Sequence, residues 1–274
     1  MRDFDYSTVR AGSGLQSRYI LGMRVDATSY GDAAMRVARW AKAGESRFVC
    51  IASVNNVMEA HDDHEFLSIM NDADLVTPDG MPLVWGLRRL GLPHASRVYG
   101  PDLTPAVLTK ASEEGIPVGF YGGSPGVLEA FLLRVERGWP NLRIAYAWSP
   151  PFRDLTDEED ERVVEEMNAS GARMLFVGIG CPRQEIWMSN HRGRVDAVML
   201  GVGAASGCPK EDHQAIRPHE ATGRVGRNID NSMLNEVLGW EPQVRLEEGL
   251  KRTCAWIESE LQGAGRKPHA SPVV

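Results

Sequence analysis

Short apolar runs alternate along the chain with longer segments whose apolar residues recur every three or four positions. The runs occupy residues 47–53, 74–77, 117–121, 142–147, 173–179 and 196–202. Helical patterns lie between them, at residues 31–43, 56–71, 81–90, 102–114, 125–138, 156–169 and 182–190. The longest runs are apolar throughout, which is typical of parallel strands covered on both faces. The pattern predicts an α/β fold with an open, mostly parallel sheet and helices on both of its faces.

The alternation stops after Gly203. The next stretch has no clear period and is rich in glycine, proline and charge, which is typical of a linker or an irregular crossing segment. Two further helical patterns follow it, at residues 231–238 and 246–261. We therefore predict three parts: a core over residues 1–205, a linker over 206–226 and a small helical appendage over 227–274.

Composition narrows the class of protein. The 274 residues include 43% hydrophobic and 24% charged ones, as in an ordinary soluble globular protein, and the net charge of −7 argues against a general nucleic-acid binder. No apolar run approaches the roughly 18 residues of a membrane span, and the start lacks the apolar region of a signal peptide. The 4 cysteines form no CxxC pair and are expected to be reduced thiols in the cytoplasm.

Ligands of open parallel sheets bind beyond the carboxyl ends of the strands, so the loops that follow the strands are the candidates for a site. Ser53 and Asn55 stand where a strand ends and a helix begins, where they either cap the helix or offer free backbone N–H groups to a ligand. Asp79 follows the next strand and precedes a glycine. It is either a turn residue or, with apolar neighbours that raise its pKa, a general base.

Two glycine-containing loops follow later strands. Gly122, Gly123 and Ser124 precede a proline, so they form either a tight turn or a phosphate site at a helix N-terminus. In the second loop, Arg183 and Gln184 stand at the start of a helix, and an arginine offers a planar fork to phosphate oxygens. Neither loop is a GxGxxG fingerprint.

Several polar clusters have a structural explanation. The sequence HDDHE at 61–65 is expected to be a solvated helix face, since successive helical residues point in different directions. The DxD of Asp72 and Asp74 stands at the start of a strand, away from the ligand edge. The acidic residues at 157–161 suit the first turn of a helix. We therefore predict no metal site.

Five segments, taken together and in order, resemble one bacterial family. They read ADLVTPDGMPLVWGLRRLG, RVYGPDL, GFYGGSPGVLEA, LFVGIGCPRQEIW and VDAVMLGVGAA. Over residues 15–205 the chain resembles the N-acetylmannosaminyltransferase-type glycosyltransferases, the WecG/TagA/CpsF family. The resemblance implies a Rossmann-like core and a cytoplasmic, metal-independent enzyme without a cofactor. Such an enzyme moves a sugar from a nucleotide-diphosphate sugar, expected to be a UDP-sugar, to a lipid-diphosphate-linked acceptor for surface polysaccharides.

The resemblance also implies roles for single residues. Asp79 matches the aspartate of the family's PDG motif and would be the general base of an inverting transfer. Arg97 would hold the donor diphosphate. Ser53 and Asn55 match a T-x-N motif, and Arg183 and Gln184 match the lysine and glutamine of a PKQE motif, so these four would bind substrate. Contact with the inner face of a membrane and self-association into a homo-oligomer both stay open.

The end of the chain departs from this pattern. The string GVGAASGCPKEDHQ lacks the Phe-Asp that the family usually has after GVGAA. Residues 226–261 instead resemble the C-terminal end of nucleotide-sugar epimerases, notably GDP-mannose 3,5-epimerase. Two alternatives therefore stay open: a catalytically weakened nucleotide-sugar-binding protein, and a nucleotide-sugar epimerase. The epimerase would need a GxGxxG and a YxxxK pair, and the sequence has neither.

Overall fold

The computed structural model describes residues 14–203, which form eight strands and eight helices. The strands are β1 (Gln16–Ile20), β2 (Met23–Ala27), β3 (Arg47–Ala52), β4 (Leu75–Pro78), β5 (Val118–Gly122), β6 (Ile144–Trp148), β7 (Met174–Gly178) and β8 (Val198–Gly201). The helices are α1 (Tyr30–Lys42), α2 (Val54–Asp62), α3 (His64–Asp72), α4 (Met81–Arg89), α5 (Gly100–Glu114), α6 (Pro125–Gly138), α7 (Asp157–Ser170) and α8 (Arg183–Asn190).

Strands β3 to β8 form one six-stranded sheet in the order β4-β3-β8-β7-β5-β6, and every neighbouring pair in it is parallel. Helices cover both faces, and two clusters of buried apolar side chains fill the space between helices and sheet. The predicted Rossmann-like α/β fold is confirmed, as is each of the six predicted strands to within two or three residues. The predicted linker and helical appendage lie outside the described residues.

A β-hairpin precedes the sheet and was not predicted. Strands β1 and β2 pair antiparallel, and the turn between them places Leu21 and Gly22 at φ values of 49° and 89°. Two successive residues with positive φ are typical of the two-residue hairpin turn whose twist matches the right-handed twist of the paired strands. The hairpin packs on α4 at Gly86, where a Cβ atom would stand 2.9 Å from Cδ1 of Ile20. Glycine at this position therefore allows the close approach of hairpin and helix.

The helix predicted over residues 56–71 is wrong in one respect, because the structure has two helices there. Asp63 has extended backbone angles, φ −121° and ψ 110°, and ends α2. Its carboxylate accepts hydrogen bonds from the backbone N–H groups of Glu65 and Phe66, which makes it the N-cap of α3. The five polar residues at 61–65 are all exposed, as predicted.

The predicted structural explanation of the DxD sequence agrees with the contacts of Asp74. Its carboxylate is buried at the start of β4 and lies 2.6 Å from Arg47 and 3.1 Å from Arg192. It also accepts a hydrogen bond from the backbone N–H of Phe48. These contacts join neighbouring strands at their amino ends, which is the edge of the sheet opposite to the candidate site.

Candidate active site

The carboxyl ends of the parallel strands lie at one edge of the sheet. The strand ends, loops and helix starts at this edge carry all the predicted site residues except Arg97. Two of these loops are tied together at the start of the site: the backbone N–H of Asp79, after β4, donates to the carbonyl of Ala52, at the end of β3. Arg97 reaches the same edge from the segment between α4 and α5. There, the backbone N–H of Val98 donates to the carbonyl of Pro78 at 2.9 Å. Two strand ends and this crossing segment thus form one cluster.

Asp79 and Arg97 are in direct contact. Nη2 of Arg97 lies 3.3 Å from Oδ1 of Asp79, and Nε of Arg97 donates to the main-chain carbonyl of Asp79. The Asp79 side chain is 23% exposed and that of Arg97 is 44% exposed, so both remain open to a ligand. Partial burial raises the pKa of Asp79 above its ordinary value, while the Arg97 guanidinium acts in the opposite direction. The nearby charge of Asp102 adds to the upward shift.

Arg97 is held from behind by residues that the sequence did not single out. Its guanidinium stacks on the ring of Tyr99 with 4.3 Å between the guanidinium carbon and the ring centroid. The backbone N–H of Tyr99 donates to the hydroxyl of Tyr30, which in turn donates to Asp102 at 3.2 Å. Tyr30 is the first residue of α1 and Asp102 lies in the first turn of α5. Two helices therefore fix the loop that carries Arg97.

Ser53 forms the N-cap of α2 in a reciprocal arrangement with Asn56. Both the backbone N–H and the hydroxyl of Ser53 donate to Oδ1 of Asn56, each at 3.0 Å. The amide of Asn56 donates onward to the sulfur of Cys181 at 3.3 Å, which joins this loop to the loop after β7. Asn55 is exposed, and its side chain also contacts Cys181. Asn56 is buried and belongs to the site, although it was not among the predicted site residues.

The first glycine loop is in tight contact with the second. Gly122 has φ 133°, and a Cβ there would stand 2.5 Å from the carbonyl oxygen of Gly178. The backbone N–H of Gly123 donates to that same carbonyl, so this N–H already has a partner. Ser124 is the N-cap of α6, and Ser149 fixes the loop by donating to the carbonyl of Gly123. Only glycine fits at Gly122, for reasons of backbone packing.

Arg183 and Gln184 are adjacent but have different environments. Arg183 is exposed and pairs with the exposed Asp154 at 2.9 Å. Gln184 is buried: its carbonyl oxygen accepts from the backbone N–H of Gly203, and its amide donates to Glu185. Gln184 thus ties the start of α8 to the chain just beyond β8. Its predicted contact with substrate would require this side chain to exchange one of these partners.

Glu185 carries a buried carboxyl group beneath the site. It was not among the predicted site residues. It is fully buried, and its Oε2 has no hydrogen-bond partner among the described residues. Burial raises the pKa of Glu185. Cys181 is exposed, and partial desolvation of its sulfur together with the nearby Glu185 raises the pKa of its thiol to about 12. At neutral pH Cys181 is therefore a protonated thiol, which is a poor nucleophile. We assign this thiol no covalent role.

A groove of about 540 Å³ lies elsewhere, between α6 and the end of β6. Leu128, Leu132 and Trp148 are among its lining residues, whereas none of the predicted site residues lines it. Within residues 14–203, no group of three or more His, Cys, Asp or Glu side chains is placed to hold a metal ion. In the same range no helix is long and apolar enough to cross a membrane.

Comparison with known proteins identifies the family of the chain. The sequence model of the glycosyl transferase WecG/TagA/CpsF family matches residues 18–207, which is most of the chain. The chain belongs to this family. All the predicted site residues of this WecG/TagA/CpsF glycosyltransferase lie inside the matched range.

A curated relative gives a more specific comparison. It is the N-acetylglucosaminyldiphosphoundecaprenol N-acetyl-beta-D-mannosaminyltransferase of Bacillus spizizenii strain W23. The chain is 30% identical to it over 159 residues, which are 58% of this chain and 60% of the relative. The WecG/TagA/CpsF chain thus spans about 60% of the length of the relative that it matches.

Proposed function

We propose that the chain is an inverting glycosyltransferase. It moves an N-acetylmannosamine-type sugar from a UDP-sugar to an acceptor sugar that is linked through a diphosphate to a lipid. The observation that carries the proposal is the contact of Asp79 with Arg97 at the carboxyl edge of the sheet, where a base and a cation lie 3.3 Å apart. Family membership supports the reaction class, and the name of the Bacillus relative supports the choice of sugar and acceptor.

Asp79 acts as the general base. Its carboxylate accepts the proton of the acceptor hydroxyl as that oxygen attacks the anomeric carbon of the donor sugar. A half-buried carboxylate with a raised pKa is a stronger base than one in open water. Its backbone N–H is bonded to the carbonyl of Ala52, which holds the backbone of Asp79 at the end of β4.

Arg97 stabilises the leaving group. As the bond from the anomeric carbon to the donor oxygen breaks, the electron pair leaves with the nucleoside diphosphate, and negative charge grows on its oxygens. The Arg97 guanidinium, held on Tyr99, is placed to accept that charge. When Arg97 turns to the diphosphate, Asp79 loses the cation that lowers its pKa. Binding of the donor therefore makes the base stronger at the moment when it is needed.

Two helix N-termini add to the stabilisation of negative charge. Helix α2 begins after Ser53 and α6 begins after Ser124, both at the ligand edge. The aligned peptide dipoles of a helix favour an anion at such an end. A single displacement, with the base and the leaving group on opposite faces of the sugar, inverts the configuration at the anomeric carbon.

The test of this function measures release of UDP. The full chain is incubated with UDP-N-acetylmannosamine, with and without a lipid-diphosphate-linked N-acetylglucosamine acceptor. Acceptor-dependent release of UDP and a new disaccharide on the acceptor are expected. A parallel reaction with EDTA tests independence from divalent metals, for which unchanged release is expected. Binding of UDP without any transfer would instead favour the nucleotide-sugar-binding protein.

A further inference from the structure

Glu185 lies on α8 beneath the ligand edge, and its carboxyl group accepts a hydrogen bond from the side-chain amide of Gln184. Nε2 of Gln184 lies 2.8 Å from Oε1 of Glu185, which is fully buried. A buried carboxyl group is costly unless hydrogen bonds compensate for its lost hydration. The proposed mechanism of Asp79 and Arg97 makes no use of this group, so its hydrogen bonds must indicate what it does.

The first of two hydrogen-bond chains reaches Glu185 from β8. The backbone N–H of Gly203 donates to Oε1 of Gln184 at 3.1 Å, and a backbone N–H can only donate. The orientation of the Gln184 amide is therefore fixed, with its NH2 group toward Glu185. A Cβ atom on Gly201 would stand 3.2 Å from Nε2 of Gln184, so the end of β8 also packs against this amide.

The second chain reaches Glu185 from β3. The backbone N–H of Ser53 donates to Oδ1 of Asn56, which turns the NH2 group of Asn56 toward Sγ of Cys181 at 3.3 Å. The thiol of Cys181 forms a hydrogen bond with the carboxyl group of Glu185. A protonated thiol can accept from Asn56 and donate to Glu185 at the same time. The direction of the second chain is therefore fixed as well.

Both chains begin at a backbone N–H group and end at the same carboxyl group. Strands β3, β8 and β7 are neighbours in the sheet, and the chains join the segments that follow them. An apolar residue at the meeting point would leave a buried amide and a thiol without an acceptor. The convergent network, as we name it, consists of Ser53, Asn56, Cys181, Gln184, Glu185 and Gly203.

We propose that Glu185 is a positioning residue for the sugar donor, because its acceptor oxygen holds the segments after β3, β7 and β8 at the ligand edge. Ser53 is the N-cap of α2, and the proposed mechanism uses the N-terminus of α2 to stabilise the donor diphosphate. Glu185 acts through these segments and not by contact with the donor. The proposal rests on the proposed function for the identity of the ligand, although the hydrogen bonds can be tested without any sugar.

The first experiment measures steady-state kinetics of the full chain with varied UDP-N-acetylmannosamine. Glu185→Met removes the acceptor and keeps the length of the side chain, whereas Glu185→Gln keeps an acceptor oxygen. Loss of two buried hydrogen bonds should raise KM for the donor about tenfold or more in Glu185→Met. In Glu185→Gln it should stay within about twofold of the unchanged chain. In both variants kcat should change less than KM, since the contacts between Asp79 and Arg97 lie outside the convergent network.

A control variant separates positioning from a general loss of stability. Met167→Ala removes a buried side chain on α7, which carries no member of the convergent network, and should lower stability by leaving a cavity. Its KM for the donor should equal that of the unchanged chain. A rise in KM that is equal in Met167→Ala and Glu185→Met overturns the proposal. So does an equal KM in the two Glu185 variants.

A milder variant serves if Glu185→Met does not fold. Cys181→Ala removes only the second chain, at an exposed position. It should raise KM for the donor about fivefold, which corresponds to one hydrogen bond. An unchanged KM in Cys181→Ala overturns the proposal.

A double-mutant cycle tests whether Glu185 acts through Gln184. Gln184→Met alone should raise KM for the donor, since it also breaks the chain from β8. The double variant Gln184→Met/Glu185→Met should raise KM by less than the product of the two single effects, because the two side chains share one hydrogen bond. Effects that multiply in full would show independent action and contradict the proposal.

Amide hydrogen exchange separates this proposal from the proposed function. The backbone N–H groups of Ser53 and Gly203 are protected while their acceptors are held in place. They should exchange at least about tenfold faster in Glu185→Met, and as in the unchanged chain in Glu185→Gln. If the unchanged chain transfers no sugar, the proposed function fails, and the exchange rates still decide whether Glu185 holds the two segments. Equal exchange in Glu185→Met and the unchanged chain contradicts the positioning role.

Discussion

The hydroxyl of Tyr30 accepts a hydrogen bond from the backbone N–H of Tyr99 at 3.1 Å, across 69 residues of sequence. Through this bond the start of α1 holds the segment that carries Arg97. The same hydroxyl donates to Asp102, so one oxygen connects α1 with both the segment before α5 and the first turn of α5. The position of Arg97 beside Asp79 thus depends on a residue distant in sequence.

Tyr30→Phe should weaken the use of the donor. The change keeps the ring and removes the hydroxyl, which leaves the N–H of Tyr99 without its acceptor and loosens Arg97. A loss of roughly 1 kcal/mol, about fivefold in kcat/KM for the donor, is expected. Steady-state kinetics with varied donor measures it. Tyr146→Phe is the matched control: the Tyr146 hydroxyl is buried and has no hydrogen-bond partner among residues 14–203, so its removal should leave kinetics and stability unchanged or slightly improved.

Arg97→Gln should change both the rate and its pH dependence. The loss of the cation that faces the diphosphate is expected to lower kcat by about 10²-fold. Protonation of Asp79 inactivates the base, so the rate falls on the acidic side of its pKa. Since Arg97 lowers that pKa in the free enzyme, its removal should move the acidic limb of the pH profile of kcat/KM, which reports the free enzyme, to higher pH. A limb that stays in place, measured from pH 4 to 8, contradicts the electrostatic coupling.

Glu185→Gln should remove a pH dependence of stability. The folded-state pKa of Glu185 is raised by burial, so the folded protein favours the neutral carboxyl group. Its contribution to stability is complete below the unfolded-state pKa and is lost as the pH rises through the folded-state pKa. Urea midpoints between pH 4.5 and 8 should therefore fall less for Glu185→Gln than for the unchanged chain. Glu165→Gln, at an exposed site on α7, should behave as the unchanged chain does.

Gly122→Ala should destabilise the fold strongly. The backbone has φ 133° there, and the added Cβ would meet the carbonyl of Gly178 at 2.5 Å. A loss of about 3 kcal/mol or more in the free energy of unfolding is expected from strain and displaced backbone. Gly126→Ala is the control, since nothing lies within 4 Å of its added Cβ inside α6. Thermal unfolding should show a lower Tm for the first variant and an equal or higher Tm for the second.

The apolar runs were enough to predict the strands of the sheet, because continuous burial on both faces leaves a strong local pattern. The β1–β2 hairpin lacked that pattern. Strand β1 is mostly half-exposed, with burial only at Ser17, and β2 is buried throughout but includes the charged residues Arg24 and Asp26. The end of α2 also escaped prediction, since Asp63 continues a polar helical face in sequence while its carboxylate caps α3 in the structure. The order of the strands depends on contacts between distant segments, and no local signal encodes it.

The candidate site was predictable to the extent that its residues follow strands directly. Asp79, Ser53 and the glycine loops meet this condition. The environment of Gln184 could not be read from the sequence, since it depends on the backbone of Gly203 beyond another strand. Tyr30 was not predicted for the same reason. It is the first residue of a helix and is 69 residues from Tyr99 in sequence, and only the fold brings its hydroxyl to the backbone of Tyr99.

The most direct test of the account is Asp79→Asn, which keeps the size of the side chain and removes its basicity. Release of UDP from the donor in the presence of acceptor should fall by about 10²-fold or more, because general-base catalysis contributes about 10²–10⁴ to such reactions. Binding of UDP, measured by calorimetry, should change no more than about threefold, since the cationic side chain of Arg97 remains. Turnover equal to that of the unchanged chain would contradict the role of Asp79 as the base.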